Sequence, residues 1–553
     1  MGLCTQLRFE GICSSFKSRM RGPCDEILIR HGRPAAPCRP EAAPWILTAT
    51  ILASSMAFID GTVVNVAVPA LQQAFHATVV DVQWVVEAYG LCLSSLILAG
   101  GALGDLFGRR RMFLLGVAIF AAASAACGLA SSIRELVIAR SIQGAGAALL
   151  VPGSLSIISA SFDEKSRGQA IGTWSGFTAI TTALGPALGG WLIEHGSWRW
   201  AFFLNLPLAC AVVMISLWHV PESRGSGVAH IDWPGALLAT AGLAGVVTAF
   251  LESAKLGWNN PLVLASLLGG IASLMLFILV EAPASSPMLP LALFKSGTFA
   301  GVNLITFFLY AGIGIFFFLY PMSLIQLHGY STTAAGAAVL PMILLIFLLS
   351  RWSGGLVRRV GARIPLIVGP LIVTTGFLLF ALLPAQGSYW RTFFPATLTL
   401  GLGMAVTVAP LTTVVMGSVD QNHVGTASGV NNAVARVAGV LAIAVLGIVM
   451  VHAFGSHLDR NLARLSLAPG VAQNVQSKQI ELAGMELPRG LDASTIALLR
   501  RAIANAFLSA FHLVLFICAA LSAAGAMIAW RLIAPAAASN QGRARAGWMR
   551  FHI

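Results

Sequence analysis

Long apolar runs recur down nearly the whole chain, broken by short clusters of charge, Gly and Pro. A helix needs roughly 20 mostly apolar residues to cross about 30 Å of hydrocarbon, so each run predicts a spanning helix. Eight fall near 45–70, 83–104, 112–131, 135–160, 167–193, 200–220, 234–253 and 262–281. Six more fall near 298–324, 332–354, 364–384, 390–416, 425–453 and 506–534, making fourteen. The fold class expected is an all-α integral membrane protein.

The runs are not independent. Gly101-Ala102-Leu103-Gly104-Asp105-Leu106-Phe107-Gly108-Arg109-Arg110 follows the second span, and Gly354-Gly355-Leu356-Val357-Arg358-Arg359-Val360-Gly361-Ala362-Arg363 follows the tenth, 253 residues later. Gly, Leu and Gly recur at the same offsets, with a charge between them and a basic end. Pro69 and Pro321, at the ends of spans one and nine, are 252 residues apart. The chain therefore divides into two related, pseudo-symmetric six-helix halves with two helices inserted between them. Parallel repeats of this kind describe transporters that rock two halves about a midplane site. The divisions are a basic tail at 1–43, a first half at 44–220, an insert at 221–297, a second half at 298–534 and a tail at 535–553.

Composition agrees with a membrane protein. Of 553 residues, 57% are hydrophobic and 10% charged, against about 25% charged in average soluble domains. The net charge of +13 would suggest nucleic acid in a soluble protein, but no basic stripe with interleaved aromatics accompanies it. Excess Lys and Arg is what cytoplasmic membrane loops carry. Arg109–Arg111, Lys165, Arg167, Arg224, Lys295, Arg351, Arg358, Arg359 and Arg363 fall on one side, with the basic residues of both tails. That side is expected to be the cytoplasm, so both termini are cytoplasmic and the tail at 1–43 is disordered there. The short loops opposite hold only Arg134, Arg199, Lys255 and Arg391, apart from a long outside loop at 454–505. Asp492 or Ser494 is placed to cap an amphipathic helix leading into the last span. Of the eight cysteines, four lie inside apolar runs and four in the N-terminal tail, without metal-site spacing. No metal or other cofactor is expected.

The two loops resemble the signature between the second and third helices of the major facilitator superfamily, Gly-x-Leu-x-Asp-x-x-Gly-Arg-Arg. Gly101, Asp105, Gly108, Arg109 and Arg110, with Gly354, Arg358 and Gly361, would then be a conformational-switch loop. Its glycines permit tight turns, and its charges can lock one conformation. Leu136-Val137-Ile138-Ala139-Arg140-Ser141-Ile142-Gln143-Gly144-Ala145-Gly146 is similar to the fourth-helix motif of proton-coupled members. Gly176, followed by Gly185-Pro186-Ala187-Leu188-Gly189-Gly190, resembles the fifth-helix motif of exporters that exchange substrate for ions. Phe58-Ile59-Asp60-Gly61-Thr62-Val63-Val64-Asn65-Val66-Ala67-Val68-Pro69 matches the first-helix signature of the fourteen-span drug:proton antiporters, the EmrB/QacA-like group. The resemblance covers about 45–534. It implies a major-facilitator fold and export of amphipathic small molecules from the cell in exchange for protons. It departs from some relatives in having no acid inside spans nine to fourteen, which weighs against divalent organic cations as substrates.

Ionisable side chains inside spans are costly, at least about 2.5–3.5 kcal/mol at the bilayer centre, and are functional candidates by default. Asp60 lies roughly ten residues, or about 15 Å, inside the outer end of span one. Asp60, Glu87 and Arg140 are the proton-coupling candidates. Arg140 is placed to hold Asp60 or Glu87, and Glu87, one turn into span two, can snorkel to water. For Asp60 and Arg140 the alternative is a fixed structural ion pair. Asn65, Gln143, Asn205, Asn303, Asn431, Asn432 and Arg436 are candidates to line the substrate cavity, with hydrogen bonding between helices the competing role. With no acid in the second half, Arg436 must pair with a carbonyl, a first-half acid or an anionic substrate. Gly172, Gly176, Gly185 and Gly189 form a small-residue face for close helix contact.

No Gly-Lys pair occurs, so there is no Walker A loop, and no catalytic constellation stands out. Energy must come from an ion gradient, and no enzyme activity is expected. The partners expected are the bilayer, protons and an amphipathic small molecule, with the chain otherwise a monomer. A periplasmic adaptor is open where the host has an outer membrane. The rival functions are a symporter importing a metabolite and a non-transporting sensor or scaffold.

Overall fold

The computed structural model describes residues 42–162, 164–224, 232–284, 287, 289–382, 388–419, 424–465, 467, 469–485, 487–488 and 491–533. The tail at 535–553 and nearly all of that at 1–43 lie outside these. Among the described residues there is no strand, and fourteen helices are long and apolar enough to cross a membrane. In chain order they are α1 (Ala43–Phe75), α2 (Val79–Phe107), α3 (Arg109–Leu129), α4 (Ile133–Ser161), α5 (Glu164–His195), α6 (Trp200–Phe203, continued by Asn205–His219) and α7 (Trp233–Leu256). Then come α8 (Pro261–Glu281), α9 (Gly297–Gln326), α10 (Thr332–Ala337, continued by Leu340–Gly354), α11 (Arg363–Ala381), α12 (Tyr389–Gly417), α13 (Val424–Leu462) and α14 (Ala493–Leu532). We call the side of the membrane where α1 begins the near side, and the other the far side.

Side-chain caps fix where several helices start. Thr78 and Asp81 form a reciprocal capping box at α2, while Ser132, Asp232, Asn260, Ser296, Ser331 and Asp492 each accept a backbone N–H in the first turn of α4, α7, α8, α9, α10 and α14. Such caps satisfy donors that a helix start otherwise leaves unpaired. Hydrogen bonds from Ser494 and Thr495 hold the Asp492 carboxyl well below the usual carboxylate range. Helix α14 continues unbroken from this cap into the last span, and α13 runs nine residues beyond 453. The stretch expected to be a loop at 454–505 is therefore largely helical at both ends. Pro69 and Pro321 do not end their helices; α1 and α9 continue past them to Phe75 and Gln326.

The repeat is visible in the packing. In the first half α1 packs on α5 and α6, α2 on α4, and α3 on α4 and α6. In the second half α9 packs on α13 and α14, α10 on α12, and α11 on α12 and α14. Each pair in one half maps onto a pair in the other by adding eight to the helix number. The loop glycines repeat too: Gly108 has φ +114° and Gly361 φ +79°. A side chain at Gly108 would also put its Cβ 2.8 Å from Glu222 Oε1. Gly108→Ala is expected to cost about 1–3 kcal/mol of stability, the usual range for a residue forced into sparsely populated backbone space. The readout is the thermal midpoint of the detergent-solubilised protein, and an unchanged midpoint would refute the strain.

The inserted pair sits at the edge. α7 packs on α2 and α13, and α8 on α7. Trp84 donates to Glu252 at 2.9 Å and Lys255 to Asp81 at 2.5 Å, which link α7 to α2, and Ser273 of α8 donates to the Leu238 carbonyl of α7 at 3.0 Å. Its meeting with α13 is apolar, through Val247, Leu251, Val440 and Ala444.

The halves meet on the far side. Gln326 donates to Gln72 at 2.9 Å, Thr332 Oγ1 to the Gly190 carbonyl at 2.9 Å, and the Thr333 N–H to Glu194 at 3.2 Å. The backbones touch at two glycines. A Cβ on Gly336 would lie 2.0 Å from the Pro186 oxygen, and one on Gly190 would lie 2.3 Å from that of Thr332. Residues Gln479–Gly484 form a short helical turn over this seam, with Leu482 buried at φ 53°.

Candidate functional site

Five helices of the first half converge on Asp60. It lies in α1, fifteen residues before Phe75, or about 22 Å from that end at 1.5 Å per residue. This is deeper than the apolar run implied, because α1 does not stop near Pro69. Asp60 and Arg140 of α4 are each 1% exposed. Arg140 Nη1 is ion-paired with Asp60 Oδ2 and also donates to Gln143 Oε1 at 2.8 Å, while its Nε donates to the Val85 carbonyl of α2 at 3.1 Å. The other carboxylate oxygen accepts from Gln143 Nε2 at 2.9 Å and Asn205 Nδ2 at 3.2 Å. Both amides also reach Ser124 of α3, at 3.2 and 2.9 Å. The Arg140 guanidinium lies 4.3 Å from the ring centre of Tyr89, whose hydroxyl donates to the Ala57 carbonyl at 2.9 Å.

The polar side chains that reach Asp60 are all donors. An ionised Asp only accepts hydrogen bonds, and here every donor aimed at it is an N–H, one of them charged. Protonation would cancel the attraction to Arg140 and leave a buried guanidinium without its counter-charge, a costly arrangement. The pair and its partners thereby tie α1, α2, α4 and α6 together.

Three expected cavity residues are in fact enclosed. Gln143 and Asn205 are fully buried against Asp60, and Asn303 is buried, donating to the Phe299 carbonyl and accepting from Asn431. Asn431 also donates to Thr306 Oγ1 at 2.7 Å. Asn65 is half-buried, its amide oxygen without a partner. Asn432 is exposed and Arg436 half-buried.

Glu87 differs from expectation. The capping box starts α2 at Val79, four residues earlier than the apolar run, which sets Glu87 two turns into the helix. It is 1% exposed and neither carboxylate oxygen has a partner, so it does not snorkel. Arg140 holds Asp60 and not Glu87.

On the near side, Asp105 pairs with Arg109 at 2.8 Å, and Arg109 also donates to the Ser156 carbonyl. Glu222, which sequence reasoning did not single out, accepts from the Arg110 N–H at 3.0 Å and lies 3.7 Å from Arg111 Nε. These partners all belong to the first half or to the connection following it. The Arg358 side chain lies outside the described residues, and Gly354 is in ordinary contact with Ala409. Tyr89, Ser124 and Phe202, whose ring centre lies 5.8 Å from the Arg140 guanidinium, were likewise missed, since nothing in an apolar run marks an aromatic or a serine as a second layer around an acid.

The fifth-helix glycines use two faces. Gly185 and Gly189 press on Thr62 and Val63 of α1, whereas Pro186 and Gly190 meet α10 of the other half. Gly176 is in ordinary contact with Phe347, and Gly172 faces open space.

Two six-helix repeats meeting across a seam, with a buried acid–arginine pair in one of them, define a membrane transporter of the rocking two-half class. The chain belongs to the Major Facilitator Superfamily, whose family model matches residues 50–235 and 208–443. It is 34% identical over 428 residues to the multidrug resistance protein Stp of Mycobacterium tuberculosis, covering 76% of this chain and 78% of that one. It is 33% identical to the tetracenomycin C resistance and export protein of Streptomyces glaucescens, covering 77% and 79%. The fold is shared with an inward-facing bacterial homologue of the lysosomal transporter Spinster, at TM-score 0.64 and 17% identity over 90% of this chain and all of that one. A D-xylose–proton symporter matches at TM-score 0.57 and 16% identity, over 89% and 98%.

Proposed function

We propose that this protein exports amphipathic small molecules, drugs and antibiotics among them, in exchange for protons by alternating access. It sits in the cell membrane with both termini in the cytoplasm and performs no covalent chemistry. The observation that carries the coupling is the Asp60 carboxylate, buried and saturated by Arg140, Gln143 and Asn205. A proton arriving from outside competes with Arg140 for Asp60, loosens the first half and lets substrate leave. Glu87 is a second protonatable group on the α2 face that meets α13, and the α5 glycines keep the halves close enough to resist ion leakage. The names of the relatives support export over import. The charged loop at Asp105 and Gly108 is the switch on the cytoplasmic side.

Reconstitution of the full chain into liposomes under an imposed pH gradient tests this, using fluorescent amphipathic probes of either charge. Substrate is expected to move against the direction of proton flow. Movement in the same direction would favour the symporter, and no flux of any probe would favour a sensor or scaffold.

A further inference from the structure

Among the described residues, Arg436 at the junction of the halves has no counter-charge. Arg436 is twelve residues into α13, about 18 Å from its start at 1.5 Å per residue, well within hydrocarbon depth. Its guanidinium carbon lies 5.5 Å from the ring centre of Phe58, in α1 of the opposite half. Its charge also acts on Tyr89 of α2 and Tyr310 of α9. It is half-buried, and among the described residues it takes part in no ion pair and no hydrogen bond.

The neighbouring acids do not neutralise it. Asp60 is enclosed by Arg140, Gln143 and Asn205, so that pair cancels internally. Glu87 is buried and forms no ion pair with Arg436. An arginine held inside a membrane bundle is ordinarily paired with an acid or a carbonyl, yet this one has only an aromatic contact. It cannot shed its proton to escape the cost. The junction of the halves therefore carries a half-buried positive charge beside an aromatic ring. Asn432, one turn earlier on the same face, is exposed and uses one amide N–H on the Ser428 carbonyl.

We propose that Arg436 is an anion-binding site and that the exported compounds are aromatic anions, carboxylates or similarly delocalised oxyanions on planar ring systems. This rests on the reading of the space between the halves as the substrate site. The guanidinium fork matches a carboxylate with two parallel N–H donors, Asn432 offers a further polar contact, and Phe58 receives the ring. A lipophilic cation would meet uncompensated positive charge instead. Because the guanidinium stays protonated, the selectivity follows the ionisation of the ligand and not that of the site.

Three probes with one ring system test this by equilibrium fluorescence binding to the detergent-solubilised full chain: anthracene-9-carboxylate, its methyl ester, and 9-(aminomethyl)anthracene as the ammonium. The carboxylate is expected to bind about tenfold or more tighter than the ester, the scale of a charge-assisted hydrogen bond, and the ammonium weakest. Arg436→Gln should bring carboxylate and ester level. Arg436→Lys, which keeps charge without the fork and guards against misfolding of the neutral variant, should fall between. Wild-type binding of the ester or ammonium as tight as the carboxylate would overturn the proposal. So would undetectable carboxylate binding, or a carboxylate preference that survives Arg436→Gln. A carboxylate preference without gradient-driven flux in liposomes would leave the anion site standing and sink the exporter reading instead.

Discussion

Asp60→Asn is expected to abolish pH-gradient-driven transport while leaving the protein inserted and able to exchange substrate in the absence of a gradient. Asparagine keeps the shape and can still accept from Gln143 or Asn205, but it carries no charge and takes up no proton. Arg140 then loses its counter-ion. Removing one partner of a buried ion pair costs about 3–5 kcal/mol in soluble proteins. Here the Val85 carbonyl, Gln143 and the Tyr89 ring remain around the guanidinium, so the thermal midpoint should fall without loss of the fold. The comparison that decides is between two assays on one preparation, gradient-driven accumulation and gradient-free exchange. Undiminished accumulation in the variant would remove Asp60 from the coupling. Loss of both activities together would point to a structural pair.

The second large effect concerns the seam. Gly336→Ala adds a methyl where the Pro186 carbonyl oxygen already stands 2.0 Å from the ideal Cβ position. Neither group is a flexible side chain, so the helices must separate. Overpacking of this kind typically costs about 1–3 kcal/mol, which changes a two-state balance by roughly 5- to 150-fold. The cost falls only on the arrangement in which α5 and α10 touch, so the population moves toward opening on the far side. With Gln72→Cys as reporter, labelling by a membrane-impermeant maleimide from that side should rise sharply and net transport should drop. Unchanged labelling with normal transport would show that the contact is not part of the cycle.

The fold was legible because the hydrocarbon imposes a length on every apolar run, and the 253-residue offset imposed a symmetry on the runs. The same cost of burying charge made Asp60 and Arg140 stand out. What stayed hidden has specific causes. Glu87 was placed too near the surface because the start of α2 is set by the Thr78–Asp81 box and not by hydropathy. Gln143 and Asn205 look identical to cavity-lining amides until tertiary packing turns them onto Asp60. Tyr89, Ser124 and Glu222 are ordinary residues in ordinary places, and only their neighbours give them a role. The far-side seam depends on residues 142 and 150 apart in the chain touching, Gly190 with Thr332 and Gly336 with Pro186, which no local pattern announces.

The unequal attachment of α7 has a mechanical consequence. Of its links to the two halves, the hydrogen bond from Trp84 and the ion pair with Asp81 go to α2, whereas among the described residues α13 meets it with Val437, Val440, Leu441 and Ala444, short branched or small side chains with nothing to grip. When the halves rock, the inserted pair must ride as an outrigger on the first half, and α13 serves as a greased rail. Spin labels on α7 and α2 would then keep a constant separation through the cycle, while labels on α7 and α13 slide past one another. The lipid around α8 would move with that stroke, so the resistance of the bilayer itself becomes part of the load the proton gradient works against.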